Sequence, residues 1–306
     1  MCTQIGDDRF AAFTTTTSKS RLNFLELLRA GHGDCVVNDA ALACMRRRGV
    51  PLATIERLAA HPARRFADET AWREHLRALD RPTRADQLDP VRLATEGAVW
   101  GSIQEHGRLP DTVNVSDDAG PFDVGWHALC RVHAERLVHK LDIVTSAQHA
   151  APQRIRALIR WFYADLKTDQ RAPTAERRAQ LRARFERIFA RRTGFSTLDR
   201  LLARLRANKA ERLRVLERPD IPLHTNGSES DIRPHLTRPH VTRRKVSGGT
   251  PSDLGRDARD GFLGLMKTCA KLGIAFWDVL GHRLGVPESP YVECLPDIIR
   301  QRAAQA

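Results

Sequence analysis

The sequence predicts an α/β protein, and three observations carry that reading. Two short runs near the N-terminus, Cys2–Ile5 and Phe10–Thr15, flank Gly6-Asp7-Asp8 and read as a β-hairpin. Asp111-Thr-Val-Asn-Val-Ser-Asp117-Asp118 alternates as a half-buried strand does, and then presents two carboxylates. From Pro152 to about Arg218, by contrast, the apolar residues recur at helical spacing on a strongly basic background.

At 306 residues the chain is long enough for one large domain or two. Its formal charge of +13 and pI near 10.2 favour a polyanionic partner, most simply nucleic acid, although an Arg-rich composition alone gives the same sum. Aromatic residues at 6% argue against a protein that binds single strands by base stacking. The six cysteines, Cys2, Cys35, Cys44, Cys130, Cys269 and Cys294, lack a disulfide-scaffold spacing and fit a reducing cytoplasm. No apolar run approaches the roughly 20 residues of a membrane span, and no signal peptide is evident.

In chain order, Ser20–Leu28 carries Leu22, Phe24, Leu25 and Leu28 as an amphipathic helix that Gly31 ends. Asp34-Cys-Val-Val-Asn-Asp39 reads as a strand closed by an acid, with a helix following through Met45. Residues 46 to about 108 read as small helices and turns around Trp72 and Trp100, with Arg81–Pro90 as a loop. Three helical stripes follow. Ile155, Leu158, Ile159 and Phe162 make the first, and Leu181, Phe185, Ile188 and Phe189 the second, which Gly194 ends. Leu198, Leu201, Leu202 and Leu205 make the third, behind a Ser196-x-x-Asp199 cap. Their arginine face is either a solvated surface or a DNA-facing one.

The most informative stretch is Ile221-Pro-Leu-His-Thr-Asn-Gly-Ser-Glu-Ser-Asp-Ile-Arg233. On spacing alone it is a helix start, with Asn226 as N-cap, Glu229 as the capping-box acid and Pro234 as the stop. The stretch also resembles the C-terminal motif of DDE transposases of the IS-sixty-six type, Asp-Asn-Asn-x-x-Glu-Arg followed by a basic segment. Asn226 stands at the motif's second Asn and Glu229 at its Glu, while His224, Thr225 and Ser230 depart from it. Arg244-Lys245, Ser247-Gly-Gly249 and the run from Phe262 to Leu280 keep the family's order, and Cys130, His133 and Arg136 are similar to its Cys-Trp-x-His-x-Arg-Arg segment. Arg233-Pro-His-Leu-Thr and Arg238-Pro-His-Val-Thr are near-identical neighbours and suggest a small tandem duplication directly after Glu229.

The resemblance implies an RNase H-like catalytic core that cleaves and joins DNA with two Mg²⁺ or Mn²⁺ ions held by carboxylates. It makes Glu229 the third acid. Asp117 is the preferred second acid, because Phe122 follows at the family's interval; Asp39 is the rival, and Asp118 a further possibility. Asp117 and Glu229 are thus the expected metal ligands. Asn226 and His133 are expected in support, and Arg233, Arg243, Arg244, Lys245 and Arg136 against DNA. Cys130-x-x-His133 is alternatively half of a zinc site, for which no second half is evident.

The family's first catalytic Asp closes a strand upstream of the hairpin that this chain enters at Cys2, and Asp7 and Asp8 sit at the wrong end of the strands to replace it. The expectation is therefore an N-terminally truncated, inactive remnant whose core lacks its first strand, or a non-enzymatic protein that binds DNA through its basic surfaces. The expected divisions are core over 1–145 with an irregular insert at about 46–108, a helical basic insertion over 146–220, core over 221–285 and a tail over 286–306. Expected partners are double-stranded DNA, transposon ends and a second copy of the chain, in a bacterial cytoplasm at the nucleoid.

Overall fold

A computed structural model describes residues 2–78, 89–107, 109–143, 145, 148–232 and 252–305. The chain falls into two compact units, Met1–Arg108 with Asn226–Ala306, and Leu109–Thr225.

The first unit opens with the expected hairpin. β1 (Cys2–Gly6) and β2 (Ala11–Thr15) pair antiparallel, with Cys2 opposite Thr15 and Gly6 opposite Ala11. Asp7 holds the turn by accepting the backbone N–H groups of Arg9 and Phe10 at 2.7 and 3.0 Å. α1 (Arg21–Leu28) starts where Ser20 caps it, accepting from the Asn23 N–H at 3.1 Å. The strand expected over 34–39 is cut short. Only β3 (Cys35–Val36) pairs, antiparallel to β4 (Arg65–Phe66). Asn38 accepts the Ala41 N–H at 3.0 Å and starts α2 (Asp39–Arg48), so Asp39 opens a helix instead of closing a strand.

Residues 46–107 are more regular than expected. α3 (Leu52–Ala60) and α4 (Glu69–Ala78) lead to α5 (Pro90–Glu105), 16 residues long, whose first residue is the Pro90 assigned to a loop; Arg81–Leu88 lies outside the described residues. Trp72 is fully buried and donates its indole N–H to Thr95, whereas Trp100 is only half-buried. α5 lies so close to β3 that a Cβ on Gly101 would stand 2.1 Å from the Val36 carbonyl oxygen. Buried Glu96 faces Arg21, Arg48 and Arg92 at 3.5–3.7 Å, which compensates its charge.

The second unit is built on β5 (Val113–Ser116) and β6 (Trp126–Leu129). They pair in parallel, Val113 with Trp126 and Ser116 with Leu129, although only residues 117–125 connect them. That is shorter than the dozen residues such a crossover ordinarily needs. A single 3-10 turn at Gly120–Phe122 makes the return. β6 was not legible as a strand, because Gly125-Trp-His-Ala-Leu-Cys130 lacks a two-residue alternation.

α6 (Arg131–His139), α7 (Ala150–Arg171), α8 (Ala175–Phe189), α9 (Ser196–Ala207) and the short α10 (Lys209–Arg212) complete this unit. All three predicted stripes converge on one core, with Phe185, Leu198, Leu202 and Leu205 fully buried and Leu158 and Leu201 at its margin. Ser196 is the first residue of α9 and not its cap. The Asp199 carboxylate instead accepts the backbone and hydroxyl of Thr193 at 2.8 and 2.7 Å, closing the loop ahead of the helix.

The chain then returns to the first unit. α11 (Asn226–Ile232) packs beside β1 and begins at Asn226 itself, one position earlier than an N-cap at that residue implies. α12 (Asp253–Leu272) lies on the hairpin. Its Thr268 hydroxyl accepts the Ala11 N–H at 3.2 Å and donates to the Ala11 carbonyl at 3.3 Å, an approach that Gly264 allows. α13 (Phe276–Leu284) and α14 (Leu295–Ala304) finish the chain. The protein is thus mixed helix and sheet, and the described strands pair two by two. No helix among the described residues is long and apolar enough to cross a membrane.

Candidate functional site

The ends of the parallel strands in the second unit gather most of its unusual polar groups. β5 ends at Ser116 and is followed at once by Asp117 and Asp118. Asp117 is exposed and, among the described residues, its carboxylate accepts the local Ala119 N–H at 3.2 Å. Asp118 takes the left-handed conformation, with φ at 74°, and turns inward. There it accepts from Asn208 at 3.0 Å and from Arg212 at 3.3 Å. Two neighbouring acids therefore have separate roles: Asp118 anchors the turn and Asp117 is presented by it.

Cys130 joins three segments at this place. Its backbone N–H donates to the Ser116 carbonyl at 2.8 Å, and its sulfur accepts the Thr225 N–H at 3.4 Å. The next residue, Arg131, donates its N–H to the Leu223 carbonyl at 2.9 Å. Gln170 holds the same incoming strand of chain by donating to the carbonyls of Pro219 and Ile221 at 3.0 and 2.7 Å. Burial pushes the Cys130 thiol up, but hydrogen bonds from His133 and Thr225 outweigh it and bring the thiol down to about 7.

Two arginines are buried beside this cysteine. Arg212 is 1% exposed; burial pushes it down to about 10, and Asp118 opposes that shift. Arg131 is 7% exposed; burial and then Arg212 push it down to about 9, and its guanidinium stands 5.9 Å from the centre of the Phe162 ring. Both stay charged at neutral pH. Neither was singled out from sequence: Arg131 stands where the resemblance has Trp, and Arg212 is hidden in an arginine-rich run.

The remaining predicted residues are placed as follows. His133 and Arg136 lie on α6, both half-buried. Asn226 and Glu229 form the first turn of α11, in the other unit. Buried Asp231 pairs with Lys271 at 3.0 Å and Lys267 at 3.6 Å on α12. Two residues of a helix are about 200° of rotation, so this pair turns Glu229 away from α12. Asp39 is exposed on α2. Arg233, Arg243, Arg244, Lys245 and the tandem Arg-Pro-His repeat lie outside the described residues. A further cluster among the described residues, His32, Asp34 and His106 in the first unit, was not legible in the sequence, because its members are up to 74 residues apart.

The model of the family described as "Transposase IS66 family" matches residues 122–256, from the turn after Asp117 through α6 to the start of α12. The uncharacterized protein y4jO of Sinorhizobium fredii (strain NBRC 101917 / NGR234) is 51% identical over 286 residues, which is 93% of this chain and 86% of that protein. No solved structure matches the chain. The matched segment contains Cys130, His133, Asn226 and Glu229 together, and the chain belongs to the IS66 transposase family.

Proposed function

We propose that the protein is a transposase that cleaves and joins DNA strands with divalent metal, on an RNase H-like core, and that Asp117 and Glu229 are two of its metal ligands. The observation that carries this is the position of Cys130. It bonds Ser116, the residue before Asp117, and Thr225, the residue before the helix of Glu229. Cys130 thereby ties together, within the second unit, the strand end that leads into Asp117 and the last residue before the segment that carries Glu229.

The donor set fits Mg²⁺ or Mn²⁺, since both side chains offer hard oxygen and Asp117 is exposed with one local hydrogen bond. Asp117 and Glu229 would hold such ions, which would supply charge stabilisation to the attacking and leaving oxygens of an in-line displacement at phosphorus. The chain's own groups supply placement. Asp118 and Arg212 fix the turn that presents Asp117, and the Asp231–Lys271 pair fixes the rotation of α11. Arg136 with Arg233, Arg243, Arg244 and Lys245 binds phosphates, while His133 and Asn226 position the ends of the acid-bearing segments. Transposon ends are the proposed substrate, and bringing two ends together suits a homo-oligomer.

A second reading is a DNA-binding protein without strand chemistry. It is favoured by one observation: Asp118 is engaged by Arg212 and Asn208, which leaves Asp117 as the acid on offer at that strand end. Both readings are tested with the full chain, Mn²⁺, a labelled duplex and a supercoiled plasmid. The first predicts joining of label to plasmid that is lost in Asp117→Asn and Glu229→Gln while duplex binding persists. Absence of joining, with affinity that falls at least about tenfold between about 50 and 200 mM salt, establishes the second instead. Joining that survives both substitutions refutes the assignment of the acids.

A further inference from the structure

The first unit holds a cluster that the transposition chemistry does not use. After α1, Ala30 and Gly31 take left-handed conformations, with φ at 54° and 87°, and turn the chain back so that His32 and Asp34 precede β3. His106 caps the C-terminal end of α5. The contact of Gly101 with Val36 holds α5 against β3, so the two histidines and the aspartate meet.

We propose that His32, Asp34 and His106 bind one divalent transition-metal ion of the zinc class. The ligand-capable atoms of all three lie within 4.8 Å of one another. His106 Nε2 stands 3.0 and 3.1 Å from the two Asp34 oxygens. Two ligands about 2.1 Å from a shared ion are about 3.0 Å apart at a right angle and about 3.4 Å apart in a tetrahedron, so this pair already has the required separation. The His32 ring stacks on His106, with centroids 3.8 Å apart and planes 15° apart. Stacked rings aim their nitrogen lone pairs along parallel planes, so binding requires the His32 ring to turn about its side-chain torsions until its nitrogen faces the ion.

The carboxylate is prepared for a cation. Ser102 donates its hydroxyl to Asp34 Oδ1 at 2.7 Å, the kind of outer hydrogen bond that orients a ligating carboxylate. Arg65 stands 3.7 Å from the other oxygen and is itself half exposed and paired with Glu105, so it can swing aside. Imidazole nitrogen selects zinc, cobalt, nickel or iron over magnesium, which separates this site chemically from the Asp117 and Glu229 carboxylates. All three residues are half-buried, so water can reach the open coordination position. The ion would tie the segment before β3 to the end of α5.

The test uses the untagged full chain stripped of metal, titrated with Zn²⁺ by calorimetry and with Co²⁺ by visible absorption. One equivalent should bind tightly. His32→Gln, Asp34→Asn and His106→Gln should each weaken binding at least about tenfold, with the circular dichroism spectrum unchanged. Asp117→Asn with Glu229→Gln should leave the stoichiometry at one, and excess Mg²⁺ should not compete. The cobalt spectrum should lack thiolate charge-transfer bands. No zinc binding, binding unaffected by His106→Gln, or thiolate bands in the spectrum would each overturn the proposal.

Discussion

Asp118→Asn is the substitution that isolates the anchoring of the acid-bearing turn. Asparagine keeps the shape and tolerates the left-handed conformation at φ 74°, so backbone strain is not introduced. It removes the charge that faces Arg212, which is 1% exposed. Removing one partner of a buried ion pair costs about 3–5 kcal/mol, because the other charge is left uncompensated. The Asp118 side chain is 20% exposed, so water recovers part of that cost and about 2–3 kcal/mol is expected here. Arg131 raises the penalty, since two buried cations would then share the site without a carboxylate. With two compact units, a single unfolding midpoint does not report this loss, so the measurement must be local. Hydrogen exchange of amides in α9 and α10 reads it directly. Protection should fall by about thirty- to a hundred-and-fiftyfold in the variant, while amides of α5 are unchanged. Equal protection in α10 of the two proteins would refute the claim that Asp118 compensates Arg212.

Two further predictions rest on packing and on pH. Gly101→Val should cost the first unit at least about 3 kcal/mol, because its Cβ meets the Val36 carbonyl at 2.1 Å and the capping Asn38 side chain at 3.0 Å. Gly261→Ala, where a Cβ has open space within α12, should be neutral or stabilise by up to about 1 kcal/mol, and urea unfolding of both variants checks the contrast. The Cys130 thiol is depressed from 9.0 to about 7, so its contribution is complete above the unfolded value and disappears as pH falls through 7. Wild type should therefore gain about 2 kcal/mol over Cys130→Ala between pH 7 and pH 9, and a pH-independent difference would contradict the assigned shift.

The helices were legible because their signals are local. Ser20 caps α1, and the Phe162, Phe185 and Leu202 stripes follow the helical period whatever they pack against. The hairpin was legible for the same reason: Asp7 closes its own turn. What failed depended on partners distant in sequence or on competing local bonds. Asn38 could end a strand or cap a helix, and its acceptance of the Ala41 N–H decided for the helix. β6 exists through its parallel pairing with β5, which no periodicity within Trp126–Leu129 records. At the candidate site, Asp117, His133 and Glu229 were singled out by resemblance to the family's motifs, and their roles are proposals. Arg212 and the His32–Asp34–His106 cluster were not, since Asp118 meets Arg212 across 94 residues and Asp34 meets His106 across 72.

The proposed assignment of Asp117 and Glu229 as metal ligands is tested most directly by iron-directed backbone cleavage of the full chain, in which bound Fe²⁺ with ascorbate and peroxide cuts the polypeptide beside its ligands. The account predicts cuts close to both Asp117 and Glu229, suppressed together by excess Mg²⁺ and lost together in Glu229→Gln. Any cuts near Asp34 and His106 should resist Mg²⁺, because that site prefers imidazole-binding metals. Cuts near Asp117 that persist in Glu229→Gln, or cuts near Glu229 paired with Asp39 and not with Asp117, would contradict it.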